Sequence, residues 1–530
     1  MTDPMDARRA RAAYAEAWCL YVWVPAIDAF LGGQGAVDSR PLGLGDVCLL
    51  PLALAGTLVL EYGWSAGCLR VAHAVKLMMF AYRMPLVWDH ECWAALTELS
   101  FLFWGEEKNF RSFWQLCRGQ LLLLYASAAW WKLNTSFLDP RTSCSTVILT
   151  QLLSAYAPHE LALQLAPLIV RLAPIMGLAG EAIIAVLLLV RPALGVVTAS
   201  AFHLLVLLAP APNFAGGFSV CCAARLLLLL PLEAAARCSL LNPLVVLTCA
   251  VFAALVPSCA FGAFGALLAM TLQGVSEVQT TAKETLGSLQ RVVLCASFLY
   301  AFVLPVLGLQ HMASCSMYAN LKHYGGSNHL IVPTGLLQDW FGDSSTASSP
   351  FDAFGGGLVR VDDFGGVDDL RRNAWSDVEP PRAVQLLTAN GHSGRQFAAY
   401  YARMDSLKAA GVQSLHVHHP VVMPAFELRR ALARSARSDS ADSDPSSSVR
   451  VVRLPQRLRT PKEWRDFQGV QLHFWPNGSC TKDEENLSDV PCATDDLTLF
   501  LPPPWWLRKI LLPYPYPLLP EDDTEIHCSS

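Results

Sequence analysis

Lys132 ends an uncharged run, 119–131, and polar residues follow it in LYASAAWWKLNTSFLDPRTSC. An amine held among apolar neighbours can give up its charge, and a neutral amine is a general base. The plainer reading is a lysine at a helix end whose head snorkels to lipid headgroups. Three other ionisable residues interrupt or border apolar sequence. His90 sits between Asp89 and Glu91, Glu181 opens an apolar stretch, and His203 lies deep inside one. Ionisable groups in such surroundings are costly, so each needs a reason. For Glu181 the ordinary reason is the positive end of a helix dipole. For His203 it is a hydrogen-bonded core imidazole, and for His90 a solvated loop. His416 and His418 share one face of an expected strand, but two histidines do not complete a metal site.

The elements that must position these residues are apolar. Of 530 residues, 53% are hydrophobic and only 16% charged, and most of the apolar excess falls before about residue 311. A membrane helix needs about 20 mostly apolar residues. Runs at 18–31, 46–62, 68–88, 92–104, 117–131, 167–190, 193–208, 218–232, 243–270 and 292–309 approach that pattern, while 152–165 has the spacing of an interfacial helix. The sequence therefore predicts an all-α polytopic membrane bundle of about nine spans over 14–311, behind a cytosolic N-terminus at 1–13. A net charge of −5 argues against nucleic acid as a partner and leaves the lipid bilayer as the expected one.

From 312 to 500 the chain turns polar and reads as a soluble, lumenal α/β domain. Strands are predicted at 383–387 and 414–422, helices at 394–409 and 425–436. Low-complexity loops fall at 342–350 and 435–448. Asn477 and Asn486 begin glycosylation sequons close to Cys480 and Cys492, whose disulfide would close a short loop in an oxidising compartment. The tail at 501–530 pairs Trp505 and Trp506 with Arg508 and Lys509, as an interfacial anchor does.

The segment 128–138, AAWWKLNTSFL, resembles the AG-x-x-K-L-(D/N)-x-x-(W/F)-(L/V) signature of the vitamin K-dependent gamma-carboxylase and HTTM (horizontally transferred transmembrane) family. Gly180-Glu181-Ala182 followed by Ala201-Phe202-His203 is similar to the family's acidic residue and Phe-His pair. Asp89-His90-Glu91 is similar to its Asn-His pair. Met317-Tyr318-Ala319-Asn320-Leu321, with Gly326-Ser327-Asn328-His329-Leu330, resembles a further motif of bacterial and algal members. Trp131 stands where the carboxylase has a first lysine.

This resemblance implies a lysine base, Lys132, that deprotonates vitamin K hydroquinone or a related quinol. His90, Glu181 and His203 would be polar groups around it, and Asn320, Asn328 and His329 the remaining motif residues. It implies carboxylation of a protein substrate at glutamate, in a site kept dry. The expected location is the endoplasmic reticulum or another endomembrane. Two other functions fit the same sequence. One is a non-catalytic lipid-binding or scaffold protein acting through the lumenal domain, and the other is a transporter.

Overall fold

Leucine and alanine dominate the first three hundred residues, and both favour helix. The computed structural model describes residues 4–30, 66–209 apart from 85–86 and 88, and 216–303 apart from 256–258 and 277–285. It also describes 305, 319, 329–332, 358–364, 372–374, 415–417, 421–435 and most of 448–506. The main helices in the apolar part are α1 (Pro4–Phe30), α2 (Ala66–Arg83), α3 (Asp89–Trp104), α4 (Phe110–Trp131), α5 (Cys144–Tyr156), α6 (His159–Val190), α7 (Pro192–Leu207), α8 (Gly216–Leu226), α9 (Pro243–Leu255), α10 (Cys259–Ser276) and α11 (Ser288–Phe298). The chain divides into two compact units. One holds Met1–Arg83, Val87–Trp130 and Met176–Ala301, and the other Met84–Leu86, Trp131–Ile175 and Phe302–Ser530.

The first unit is helical and centred on α8. Small residues (Gly216, Gly217, Ser219, Ala223, Ala224) let α1, α7 and α10 pack closely against that helix. Tyr14 of α1 meets Phe101 of α3 at 5.5 Å and Phe113 of α4 at 5.1 Å between ring centroids. Each such buried ring stabilises the fold by about 1.5–3 kcal/mol. Where α10 crosses α9, a Cβ on Gly265 would lie 2.7 Å from a ring carbon of Phe252, so this contact requires glycine.

The expected nine-span bundle is not what forms. Among the described residues only α6 and α10 are long and apolar enough to cross a membrane. The physical reason is how the apolar runs are cut. The run expected at 218–232 leaves α-helix after Leu226, passes through a 3-10 turn at Leu227–Leu229 and meets Pro231. The run at 193–208 gives α7, only 16 residues long. At 1.5 Å per residue such a helix falls short of a hydrocarbon layer about 30 Å thick. Of the two long helices, α10 is mostly buried in protein, whereas α6 leaves Leu168, Ile175, Ile183, Val186 and Leu189 exposed. The helix α1 begins at Pro4, within the stretch read as a cytosolic tail, and its Arg11 is buried. The expected run at 46–62 lies outside the described residues.

In the second unit the polar C-terminal part is built on antiparallel β-structure. Strands β1 (Leu358–Phe364), β2 (Arg372–Ala374), β3 (Leu415–Val417), β4 (Val421–Pro424), β5 (Val449–Leu454), β6 (Gln471–Phe474), β7 (Cys480–Glu484) and β8 (Leu487–Pro491) are accompanied by helix α12 (Ala425–Ser435). Six strands form one sheet in the order β4-β1-β5-β6-β7-β8, and β2 pairs with β3. Alternation sets the two faces. Val359, Val361, Val449, Val451 and Leu472 pack with Leu428 of α12 and Phe500. Leu358, Val422 and Leu454 pack with Trp464. The predicted strand at 414–422 is thus two strands, and the predicted helix at 425–436 is α12. The strand predicted at 383–387 and the helix at 394–409 lie outside the described residues, as do Asn477, Asn486, Asn320, Asn328 and the low-complexity loop at 342–350.

Cys480 and Cys492 form the expected disulfide, closing the β7–β8 hairpin. Cys144, at the start of α5, is also disulfide-bonded. A cross-link of 12 residues' separation removes about 3 kcal/mol of chain entropy from the unfolded state. Replacing both Cys480 and Cys492 with alanine is expected to speed amide exchange in β7 and β8 by about two orders of magnitude. Exchange mass spectrometry on the double variant checks this, and unchanged protection would show that the sheet alone holds the hairpin.

Candidate functional site

The end of α4 positions Lys132. The helix stops at Trp131 because Asn134, with an extended backbone, caps the next helical turn, Thr135–Leu138. Asn134 is fully buried and uses both ends of its amide. Its Oδ1 accepts from the Phe137 N–H at 2.8 Å, and its Nδ2 donates to the Trp131 carbonyl at 2.7 Å and the Ala319 carbonyl at 2.6 Å. Asn134 also forms an antiparallel bridge with His329, and the Leu330 N–H donates to the Leu133 carbonyl at 2.9 Å. The AAWWKLNTSFL segment and the end of the GSNHL segment therefore meet.

Within that junction Lys132 is 5% exposed, with Nζ 5.7 Å from the centre of the buried Phe137 ring. Trp131 is fully buried and edge-on to His329, ring centroids 5.4 Å apart. The His329 Nδ1 accepts from the Ile331 and Val332 N–H groups, which leaves the hydrogen of a neutral ring on Nε2. The result is an amine near one aromatic ring, with a histidine of fixed orientation packed on the neighbouring Trp131.

His90, Glu181 and His203 belong to the other unit. His90 on α3 and His203 on α7 lie edge-on to the same ring, Phe218 of α8, at 5.7 and 5.1 Å. His203 is fully buried and its Nε2 is 2.8 Å from the Tyr125 hydroxyl, while its Nδ1 has no partner among the described residues. His90 is half-buried, not a loop residue, and burial lowers its pKa to about 4. Glu181 lies well inside α6, so the dipole of a helix start does not account for it. It is 8% exposed.

The same unit contains a buried polar cluster that the sequence reading passed over. Glu98 of α3 is 1% exposed and accepts from Trp18 Nε1 at 2.9 and 3.0 Å and from Arg225 Nη2 at 3.3 Å. His73 Nε2 lies 3.2 Å from its other oxygen. The His73 Nδ1 bonds to the Leu69 carbonyl, which can only accept, so Nδ1 carries the hydrogen and Nε2 is an acceptor. The Tyr14 hydroxyl donates to Nε2 at 3.1 Å. Burial pushes the Glu98 carboxyl up to about 7 despite the Arg225 charge, and burial holds His73 down at about 3. The cue available in the sequence was a glutamate within an apolar run.

A raised folded-state pKa stabilises the protein below the unfolded value and is lost as pH climbs through the folded one. Glu98 therefore makes stability fall between about pH 4.5 and pH 7, with a slope of at most about 1.4 kcal/mol per pH unit. Glu98→Gln is expected to flatten that slope. Melting temperatures of both proteins from pH 5 to pH 8 check it, and parallel curves would remove Glu98 from the titration.

A family model described as a domain of unknown function (DUF8388) matches residues 327–509, a stretch that runs from His329 through the sheet. No curated protein and no solved structure matches the chain.

Proposed function

We propose that Lys132 is the base of a site for a membrane-soluble quinol, of the type that the gamma-carboxylase and HTTM resemblance implies. The observation that supports this is the junction of Lys132 and Asn134 with His329. Two motifs far apart in sequence contribute to one buried aromatic setting around an amine. A vitamin K hydroquinone or related quinol would supply an acidic ring hydroxyl. Lys132 would take that proton, and Trp131 and Phe137 would exclude water from the exchange. In its fuller form the proposal couples this step to carboxylation of glutamate in a protein substrate. The disulfides at Cys144 and at Cys480–Cys492 support an oxidising compartment for this unit, and the exposed apolar face of α6 supports contact with lipid. An endomembrane such as the endoplasmic reticulum satisfies both.

The test is binding of a short-chain naphthohydroquinone to the purified chain, with its dimethyl ether as control. Saturable binding of the hydroquinone and weaker binding of the ether are expected. Equal binding of the two, or none, would refute a site that reads the hydroxyl proton. A second reading, a non-catalytic lipid-binding protein, is favoured by the same exposed residues of α6 and predicts that both compounds bind only as well as their tails do.

A further inference from the structure

Glu91, Ala94, Ala95 and Glu98 follow one another along one face of α3, at the spacing that stacks side chains turn above turn. The two alanines leave a gap between the two carboxylates. That gap is a narrow cleft, walled by Tyr21 of α1 and by Lys76, Met79, Phe80 and Arg83 of α2. It has room for about one water. Burial deepens along it. At the outer end the side chains of Arg83 and Glu91 are 26% and 11% exposed and pair at 2.7 Å, whereas Glu98 at the inner end is 1% exposed. A buried water is held by two to four polar partners. Glu98, Glu91, Lys76 and Arg83 supply them here.

We propose that Glu98 is a solvent-linked proton site, and that one water in this cleft carries the proton between the Arg83–Glu91 mouth and the Glu98 carboxylate, with Lys76 facing the carboxylate across the cleft. In uptake a hydronium ion at the mouth gives up a proton, a carboxylate oxygen gains an O–H bond, and a neutral water remains. Release runs the same steps backwards and needs no other reactant. The proton has a structural reader. Ionised Glu98 holds Arg225 of α8 at 3.3 Å, while Arg225 also bonds to the Cys221 carbonyl and lies 4.8 Å from the centre of the Tyr21 ring. Protonation cancels the charge that draws Arg225 to α3 and leaves its other contacts in place, so uptake loosens α3 from α8. The groups facing Glu98 set where this happens. Lys76 of α2 and Arg225 of α8 favour the ionised form. Tyr14 and Tyr21 of α1, His73 of α2, Cys117 of α4 and Cys221 of α8 are kept neutral at pH 7 by burial, and Glu91 is paired with Arg83. Burial of Glu98 outweighs both cations and brings its carboxyl up to about 7. The site is independent of the quinol reading, because every lining residue belongs to the first unit and Lys132 to the second.

The test is infrared spectroscopy of the full chain in amphipol, which reads the carbonyl stretch of a protonated carboxylic acid. One such band is expected to fade as pH rises through about 7, to be missing in Glu98→Gln, and to shift on transfer to D2O as fast as the solutions mix. Ala94→Leu fills the cleft and adds no charge, so it should slow that shift about tenfold or more. Ala95→Val is the milder plug and serves if Ala94→Leu does not fold. Lys76→Met leaves the cleft open, so exchange should stay fast. Loss of a cation that favours the ionised form should still raise the midpoint of the titration. A band that survives Glu98→Gln, or the absence of a titrating band, would remove the proton site. Exchange as fast in the plugged variants as in the wild type would overturn the route, and an unmoved midpoint in Lys76→Met would take Lys76 out of it.

Discussion

Arg225→Leu is expected to destabilise the helical unit by about 3–5 kcal/mol, the usual cost of leaving one half of a buried ion pair. Arg225 is 4% exposed. It donates to Glu98 at 3.3 Å and to the Cys221 carbonyl at 2.9 Å, and lies against the Tyr21 ring. Leucine fills much of the volume but supplies no charge, so an ionised Glu98 would keep only the Trp18 N–H. His73 cannot take over, because burial keeps it neutral until about pH 3. Glu98 can escape by protonating, and its carboxyl already sits near 7. The deficit should therefore be small at pH 5 and large at pH 8. For a unit of this size, each kcal/mol lowers Tm by about 2–4 °C. Adding Glu98→Gln should recover part of the loss, and a double-mutant cycle at pH 8 measures how much. A deficit independent of pH and unrelieved by Glu98→Gln would mean that Arg225 acts through packing alone.

This cluster shows where the sequence stops being informative. Glu98 stands out in an apolar run, but its partners come from positions 18, 73 and 225 on three other helices. Helix packing, which local periodicity does not encode, brings them together. The same ambiguity misled the span count. An apolar run reads alike whether lipid or protein covers it. The residues of α8 would pass for a membrane segment, yet they are buried among α1, α7 and α10. Length and breakpoints were the better guide, since Pro192 and Pro231 mark real boundaries. In the polar region the local pattern marked α12 and the stretch of β3 and β4, though it read those two strands as one. It did not mark the pairing of β1 with β5, because that joins residues some ninety positions apart. The junction was partly legible. Lys132 announces itself at the end of an uncharged run, whereas Asn134 and His329 lay only inside motifs read by resemblance. Their meeting depends on a bridge between Asn134 and His329 that no spacing rule anticipates.

Lys132→Met is expected to abolish hydroquinone binding above the level of the dimethyl ether, and to cut any quinol-dependent turnover by about 10²–10⁴-fold, the usual contribution of a positioned general base. Methionine keeps the unbranched stem beside Phe137 and removes only the amine. A structural role and a chemical role make opposite forecasts for stability. A purely chemical role leaves the melting temperature of Lys132→Met unchanged, whereas a structural role lowers it. Asn134→Ala is the contrasting variant. It strands the Phe137 N–H and the Ala319 carbonyl, and should cost about 2–4 kcal/mol whatever the chemistry. Loss of binding in Lys132→Met with melting intact, set beside loss of melting in Asn134→Ala, separates a base from a structural residue. Full hydroxyl-selective binding by Lys132→Met would end the lysine-base proposal. The junction would then be a structural clamp in which Asn134 holds His329 and Lys132 only closes the helix.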